Sequence, residues 1–184
     1  ALRAVLNSIQ IGQYDILAFL GFGFIEEVLK FSAAYFVVRK SKFLDEPIDA
    51  MIYMITASLG FAIIENIAVM ASVKALSDAF NVITLRFVGA TLLHALSSGL
   101  IGYYWAKGII LSRQLKPQTE PPCHLCGAPP KLLVLKGIIF ATLLHTIFNY
   151  LIIVSKEIII YPTIFLVIAA LFVFWDFERL KAVH

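Results

Sequence analysis

Five long apolar stretches alternate with short polar segments along the 184 residues of this chain. The stretches cover about 15–38, 48–73, 82–106, 132–154 and 158–175, and each is close to the roughly 20 residues that a helix needs to cross a bilayer. A helix of that kind satisfies its own backbone hydrogen bonds in hydrocarbon. The pattern therefore predicts an all-α fold, a polytopic transmembrane helical bundle in which residues 1–184 form a single membrane domain.

The second stretch begins with a helix-start signal, Asp45-Glu46-Pro47-Ile48-Asp49. Proline is favoured at the first helical position because the N–H that it lacks would be unpaired there anyway. Acidic residues before and within the first turn suit the positive end of the helix dipole. We therefore expect the second helix to begin at about Pro47.

Composition agrees with a membrane location. Hydrophobic residues make up 60% of the chain and charged residues 15%, with a mean hydropathy of +0.89, whereas soluble domains are about 45–50% apolar and about 25% charged. We therefore expect an integral membrane protein, in the plasma membrane, whose constant partner is the lipid bilayer. The net charge of +3 is small and gives no indication of a nucleic-acid partner.

Lysine and arginine gather at one end of the predicted bundle. With five spans, that end receives Arg39, Lys40, Lys42, Lys107, Arg113, Lys116, Lys131, Lys136, Arg179 and Lys181, and the other receives Arg3, Lys74 and Lys156. The positive-inside rule then places loops 39–46 and 107–131 and the C-terminus in the cytoplasm. The start of the chain would lie outside, and because it does not begin with Met we expect an upstream span or a removed signal segment.

Ionisable residues interrupt four of the five apolar stretches at matching depth: Glu26, Glu27 and Lys30 in the first, Glu65 in the second, His94 in the third and His145 in the fourth. At about 1.5 Å per residue, their depths agree within roughly 6 Å. A charge near the bilayer centre costs roughly 2.5–3.5 kcal/mol on insertion scales, so these side chains must face the bundle interior or a water-filled cavity. An internal ion pair that helps helices to pack is the simpler interpretation. The convergence of four helices favours proton chemistry.

A spacing of four residues puts three pairs on shared helix faces: Glu26 with Lys30, His94 with Ser98, and His145 with Asn149. Amide hydrolysis needs an activated water, an acid for the leaving amine and donors for the oxyanion. Glu26 and His94 could hold the water, and His145 and Asn149 could stabilise the oxyanion. The sequence does not decide whether Glu26 or Glu27 is the catalytic base. Two His and a Glu also make a plausible zinc set, although the pattern is not His-Glu-x-x-His. Zinc is therefore the alternative to a reaction that uses no cofactor.

Four motifs on successive stretches resemble the PrsW family of intramembrane proteases, within the wider CAAX prenyl-protease superfamily of glutamate-dependent membrane proteases. The motifs are Glu26-Glu27-x-x-Lys30, Phe61-x-x-x-Glu65-Asn66, His94-x-x-x-Ser98 and His145-x-x-x-Asn149. The segment 45–49 before the second stretch is also similar to that family. The resemblance covers about Phe19 to Asn149, which is most of the chain.

The resemblance implies an α-helical intramembrane endopeptidase with a water-filled active-site cavity. It implies that Glu26 and His94 activate the water, that His145 and Asn149 form the oxyanion site, and that Glu27, Lys30, Glu65 and Asn66 shape or support the cavity. Ser98 and Arg86, the latter near the start of the third stretch, are further supporting candidates. The substrate implied is a single-span membrane protein, such as the anti-sigma factors that bacterial PrsW proteins cleave.

Two points leave other interpretations open. Cys123, His124 and Cys126 in loop 107–131 resemble half of a zinc site, but a complete structural site needs four ligands. A disulfide is not expected in a cytoplasmic loop.

A non-catalytic membrane scaffold or a transporter could use the same polar layer. A transporter would be expected to show paired repeats with broken helices, and the chain shows none.

Overall fold

Five α-helices form the bundle in the computed structural model, which describes residues 16–39, 41, 44–72, 76–114, 131–154 and 160–182. The helices are α1 (Ile16–Val38), α2 (Pro47–Ser72), α3 (Leu76–Gln114), α4 (Lys131–Val154) and α5 (Ile160–Lys181). No strand occurs among the described residues. The all-α membrane bundle expected from the sequence is confirmed.

Two helices extend beyond the apolar stretches that predicted them. α3 continues past Ala106 to Gln114, and α5 continues past Trp175 to Lys181. The added turns carry Lys107 and Arg179, which are exposed. A helix need not end where the hydrocarbon ends, because its backbone hydrogen bonds form equally well in water.

Three of the described helices are long and apolar enough to cross a membrane: α2 over Pro47–Ala71, α4 over Lys131–Val154 and α5 over Ile160–Lys181. Their outward faces carry large apolar side chains such as Ile64, Ile139 and Phe172, each at least 46% exposed. A soluble protein would bury such faces, whereas a bilayer solvates them. α1 is of similar length but carries Glu26, Glu27 and Lys30 in its middle.

The long helix α3 packs against all four of the other helices and forms the centre of the bundle. Two glycines allow this close approach. A Cβ at Gly102 would lie 2.5 Å from Met51 Cα of α2, and a Cβ at Gly137 of α4 would lie 3.1 Å from Ile101 Cα of α3. Small residues at helix contacts let backbones meet where lipid gives little hydrophobic driving force.

The start of α2 follows the expected signal. Pro47 is the first helical residue, and Asp49 Oδ2 accepts backbone hydrogen bonds from Glu46 N at 2.8 Å and Asp45 N at 3.2 Å. A side chain in the first turn that reaches back in this way satisfies amides that the helix cannot pair itself. Arg113 Nη2 at the end of α3 also donates to Asp45 O, at 2.6 Å. These bonds attach the α1–α2 connection to α3.

Candidate active site

The buried face of α1 supplies the centre of the polar cluster. Its buried residues are Phe19, Gly23, Glu27, Lys30, Ala34 and Val38, spaced by three or four along one face. Glu27 and Lys30 therefore point into the bundle, with 0% and 1% of their surface exposed. Gly23 lies beside α4, where a Cβ would come within 3.6 Å of His145 Cβ. This small residue allows α1 to bring its charges close to the histidine.

One oxygen of Glu27 accepts hydrogen bonds from three side chains on three helices. Glu27 Oε1 lies 2.6 Å from Lys30 Nζ of α1, 2.9 Å from Ser97 Oγ of α3 and 2.9 Å from His145 Nδ1 of α4. A carboxylate with no access to water needs such charge-assisted bonds to remain ionised. Glu27 thus holds three helices in register, and its other oxygen, Oε2, is buried without a donor among the described residues.

Lys30 pairs with Glu27 and not with Glu26, although both carboxylates lie within one turn of it. Lys30 Nζ contacts Glu27, three residues away, and His94 Nδ1 of α3 at 3.0 Å. Spacings of three and four both put side chains on one helix face, so the sequence could not choose between the two carboxylates. The rotation of α1 about its axis determines which carboxylate pairs with Lys30. It turns Glu27 and Lys30 toward the bundle interior together and leaves Glu26 at the edge of the buried face.

His94 is held from both sides of its ring. Its Nδ1 faces the Lys30 ammonium, and its Nε2 lies 2.8 Å from Glu65 Oε2 of α2. An ammonium can only donate, so Nδ1 accepts and the proton on the ring belongs at Nε2, where Glu65 accepts it. Phe61, one turn before Glu65, packs its edge on the His94 ring, with centroids 5.6 Å apart. The α2 motif therefore places Phe61 and Glu65 around one histidine.

His145 and Glu26 face one another across a short gap. His145 Nε2 lies 3.4 Å from Glu26 Oε2, and this oxygen is buried without a hydrogen-bond donor among the described residues. The Glu26 side chain is 24% exposed, whereas that of Glu27 is 0% exposed. His145 Nδ1 faces Glu27 Oε1, so Nε2 is the ring nitrogen that is turned toward Glu26. A water beside this pair would be within reach of both Glu26 Oε2 and His145 Nε2, which lie 3.4 Å apart.

The same cluster contains a geometric candidate for a metal site. Glu26, His94 and His145 each offer one ligand atom, and these atoms lie within 4.8 Å of one another. The two histidine rings meet edge to face with centroids 5.2 Å apart. The layer of ionisable groups inferred from depth therefore corresponds to side chains from α1, α2, α3 and α4 in direct contact.

Other predicted residues stand apart from this contact network. Asn149 is half-buried one turn beyond His145, and no bond joins it to Glu26 or Glu27 among the described residues. Ser98 is fully buried, and its hydroxyl has no partner in the described part of the chain. Asn66 Nδ2 donates to Thr91 Oγ1 of α3 at 3.2 Å and so connects α2 to α3.

Two predictions cannot be placed. Arg86 lies within α3, but its side chain is outside the described part of the structure. Cys123, His124 and Cys126 lie between 114 and 131, also outside the described residues. Their suggested roles stay predictions.

Ser97 is the residue that the sequence analysis missed. Its hydroxyl lies 2.9 Å from Glu27 Oε1 and 3.1 Å from the carbonyl oxygen of His94. The signal was available, since Ser97 is three residues from His94 and shares its helix face as well as Ser98 does. Only the rotation of α3 shows that Ser97, not Ser98, meets α1.

Comparison with known proteins shows which family the chain resembles. A family described as "PrsW family intramembrane metalloprotease" matches residues 2–175. The relative named Protease PrsW from Geobacillus kaustophilus is 34% identical over 90 residues, which are 49% of this chain and 38% of the relative. The Protease PrsW of Shouchella clausii is 27% identical over 163 residues, 88% of this chain and 66% of the relative. No solved structure matches the chain. The chain thus spans 38–66% of the length of these relatives in the matched stretches.

Proposed function

Since the chain belongs to the PrsW family of intramembrane proteases, we propose that it hydrolyses a peptide bond in or near the transmembrane segment of a single-span membrane protein. An anti-sigma factor is one substrate of that class. The observation that carries the proposal is Glu26 Oε2, which has no hydrogen-bond donor among the described residues and faces His145 Nε2 at 3.4 Å inside an apolar bundle. A buried carboxylate without a donor is costly, and a water shared with His145 would give it a partner.

Glu26, not Glu27, is the proposed general base. Glu27 Oε1 already accepts from Lys30, Ser97 and His145, and its side chain is closed off from the surface. Glu26 Oε2 faces His145 and has no hydrogen-bond donor in the described part of the chain, and the side chain is partly exposed, so a substrate can approach it. Glu27 instead holds the His145 ring by its Nδ1 proton, which keeps Nε2 directed at the water.

The proposed reaction begins with a water that donates to Glu26 Oε2 and His145 Nε2. Glu26 takes one proton as the water oxygen attacks the substrate carbonyl, and the oxyanion receives a donor from the Asn149 amide, one turn from His145 on the same face. The protonated Glu26 then gives its proton to the leaving amine as the C–N bond breaks. The helical substrate must unwind locally, because a helix keeps its peptide groups hydrogen-bonded and covered.

A zinc-dependent reaction is the second candidate, since the family description names a metalloprotease. Glu26, His94 and His145 would hold the ion. The 3.4 Å between Glu26 Oε2 and His145 Nε2 equals the separation of about 3.4 Å expected for two tetrahedral zinc ligands. Glu27 on His145 Nδ1 is the type of carboxylate that orients a zinc-bound imidazole. His94 would join only by giving up its bond to Lys30 or Glu65. Bound zinc would polarise the scissile carbonyl.

Cleavage of single-span reporter proteins in liposomes tests both candidates. Glu26→Gln keeps the size of the side chain and removes its basicity, so we expect cleavage to fall about 10²–10⁴-fold, the range for a lost general base. Glu178→Gln, which changes an exposed carboxylate of α5, is the matched control and should cleave normally.

A chelator separates the two mechanisms. Cleavage that a strong chelator leaves unchanged supports water activated by Glu26 alone. Cleavage that the chelator abolishes and added zinc restores supports the metal site. Normal cleavage by Glu26→Gln in folded protein would contradict both.

A further inference from the structure

A second site with charged side chains lies at the end of the bundle where α3 and α5 end and α4 begins. It is separate from the cluster around Glu26. A cavity of about 460 Å³ opens there among these three helices. Tyr103 and Leu180 are buried in its lining, and Leu133 of α4 forms an apolar wall. The exposed cations Lys107 of α3 and Arg179 of α5 also line it. The cavity therefore combines apolar walls with two positive charges.

Each of the two cations lies over an aromatic ring. Lys107 Nζ lies 5.0 Å from the centroid of the Tyr103 ring, and Arg179 Cζ lies 3.8 Å from that of Trp175. Tyrosine and tryptophan prefer the level of the lipid headgroups. The apolar stretches of α3 and α5 also end between these aromatic residues and the cations. The cavity thus opens at the boundary between hydrocarbon and water.

The charge of the cavity suits a phosphodiester. Asp176, half-buried beside Tyr103, interacts electrostatically with both cations and offsets one of the two positive charges. One net positive charge remains, which matches the single negative charge of a phosphodiester. The apolar side chains Ile110, Leu111 and Leu133 lining the same cavity offer a surface for acyl chains.

We propose that this cavity binds the headgroup phosphate of an anionic phospholipid, with Lys107 and Arg179 as its ligands. Basic pockets between transmembrane helices are suited to anionic headgroups. A lipid seated there would bridge α3, α4 and α5. The site does not depend on the proposed proteolytic activity, because it shares no residue with the cluster around Glu26.

Native mass spectrometry of the purified protein, with phosphatidylglycerol and phosphatidylcholine added in equal amounts, tests the proposal. We expect phosphatidylglycerol to be retained on the order of tenfold better than phosphatidylcholine. The double variant Lys107→Gln/Arg179→Gln should lose this preference. The matched control Lys131→Gln/Lys136→Gln removes two exposed cations of α4 that do not line the cavity, and should keep it.

Two additional experiments separate lost charge from lost folding, and a lipid from free phosphate. The charge-preserving variant Lys107→Arg/Arg179→Lys should keep the preference, which shows that charge and not folding was lost in the double variant. Thermal unfolding with inorganic phosphate should show much less stabilisation than with phosphatidylglycerol, because free phosphate lacks the acyl chains. An unchanged preference in Lys107→Gln/Arg179→Gln, or equal stabilisation by inorganic phosphate, would overturn the lipid site.

Discussion

At the scale of single residues, the adjacent carboxylates of Glu26 and Glu27 occupy different surroundings. Glu27 is fully buried and tied to Lys30, Ser97 and His145 through one oxygen. Glu26 reaches the edge of the buried face, and its Oε2 faces His145 with no hydrogen-bond donor among the residues that the structure describes. A buried charge pair that loses one partner leaves the other uncompensated. The two acids should therefore respond differently to the same substitution.

Glu27→Gln should lower the free energy of unfolding by about 3–5 kcal/mol, the range for breaking a buried pair, because Lys30 would lose its counter-charge. Glu26→Gln should change stability by less than about 1 kcal/mol, since it removes no hydrogen bond to a described residue. Unfolding of both variants in mixed micelles measures the difference. Equal stability of the two variants would contradict the assigned surroundings.

Ser97 and Ser98 give a matched pair within one helix. Ser97→Ala removes a donor to an ionised carboxylate and should cost about 1.5–3 kcal/mol of stability. It should also reduce kcat for reporter cleavage, because Glu27 positions His145. Ser98→Ala removes a buried hydroxyl that has no described partner, so stability should stay unchanged or rise slightly. Unfolding and reporter-cleavage assays on both variants measure the difference. A larger loss of stability or of kcat in Ser98→Ala than in Ser97→Ala would contradict the assigned contacts.

Depth along each helix could be read from the sequence, but contacts within the layer could not. Residue counting places Glu26, Glu65, His94 and His145 at one level, because every helix rises by the same amount per residue. The choice of Glu27 over Glu26 for Lys30, and of Ser97 over Ser98, depends on the rotation of α1 and α3 about their axes. That rotation is set by packing over whole helices, which a local spacing does not encode.

At the scale of elements, the approach of α2 to α3 depends on Gly102. A Cβ at this position would lie 2.5 Å from Met51 Cα and 3.0 Å from Ala50 O, both backbone atoms. Backbone cannot move aside as a flexible side chain does, so the two helices would have to separate. This contact lies between the helices that carry Glu65 and His94, whose hydrogen bond depends on the helix separation.

Gly102→Ala should therefore destabilise the protein by about 1–3 kcal/mol, as overpacking does in other cores. Gly60→Ala is the control on α2, since a Cβ there meets nothing within 4 Å. That substitution should be neutral or stabilising by up to about 1 kcal/mol, because alanine favours helix over glycine. The unfolding transitions of both variants measure the difference in stability. An equal loss of stability in the two variants would show that the close approach of α2 and α3 at Gly102 does not limit the stability of the bundle.

At the scale of the whole molecule, the described cations other than the buried Lys30 gather at one end of the bundle. This end is formed by the C-terminal ends of α1, α3 and α5 and the N-terminal ends of α2 and α4. Arg39, Lys107, Arg113, Lys131 and Arg179 lie there. The positive-inside rule predicts that this end faces the cytoplasm. The orientation also decides from which side the proposed lipid would come.

Cysteine labelling tests the orientation in a chain whose Cys123 and Cys126 are replaced by Ser. A cysteine at Lys181, at the end of α5, should react with an impermeant reagent only after the cells are permeabilised. A cysteine at Ile160, at the start of the same helix, should react in intact cells. The reversed pattern would show that the basic end faces outward.

The sequence by itself determined the class of fold, the start of α2 at Pro47 and the level at which ionisable groups meet. Apolar length, helix-start signals and rise per residue are local properties of a chain in a bilayer. Only the tertiary structure decided that Glu27 is the carboxylate contacted by Lys30, Ser97 and His145. It also decided that Glu26 Oε2 faces His145 with no hydrogen-bond donor among the described residues, and that Lys107 and Arg179 line one cavity. These facts depend on how each helix is rotated and where glycines let backbones meet, and that is settled by the packing of all five helices together.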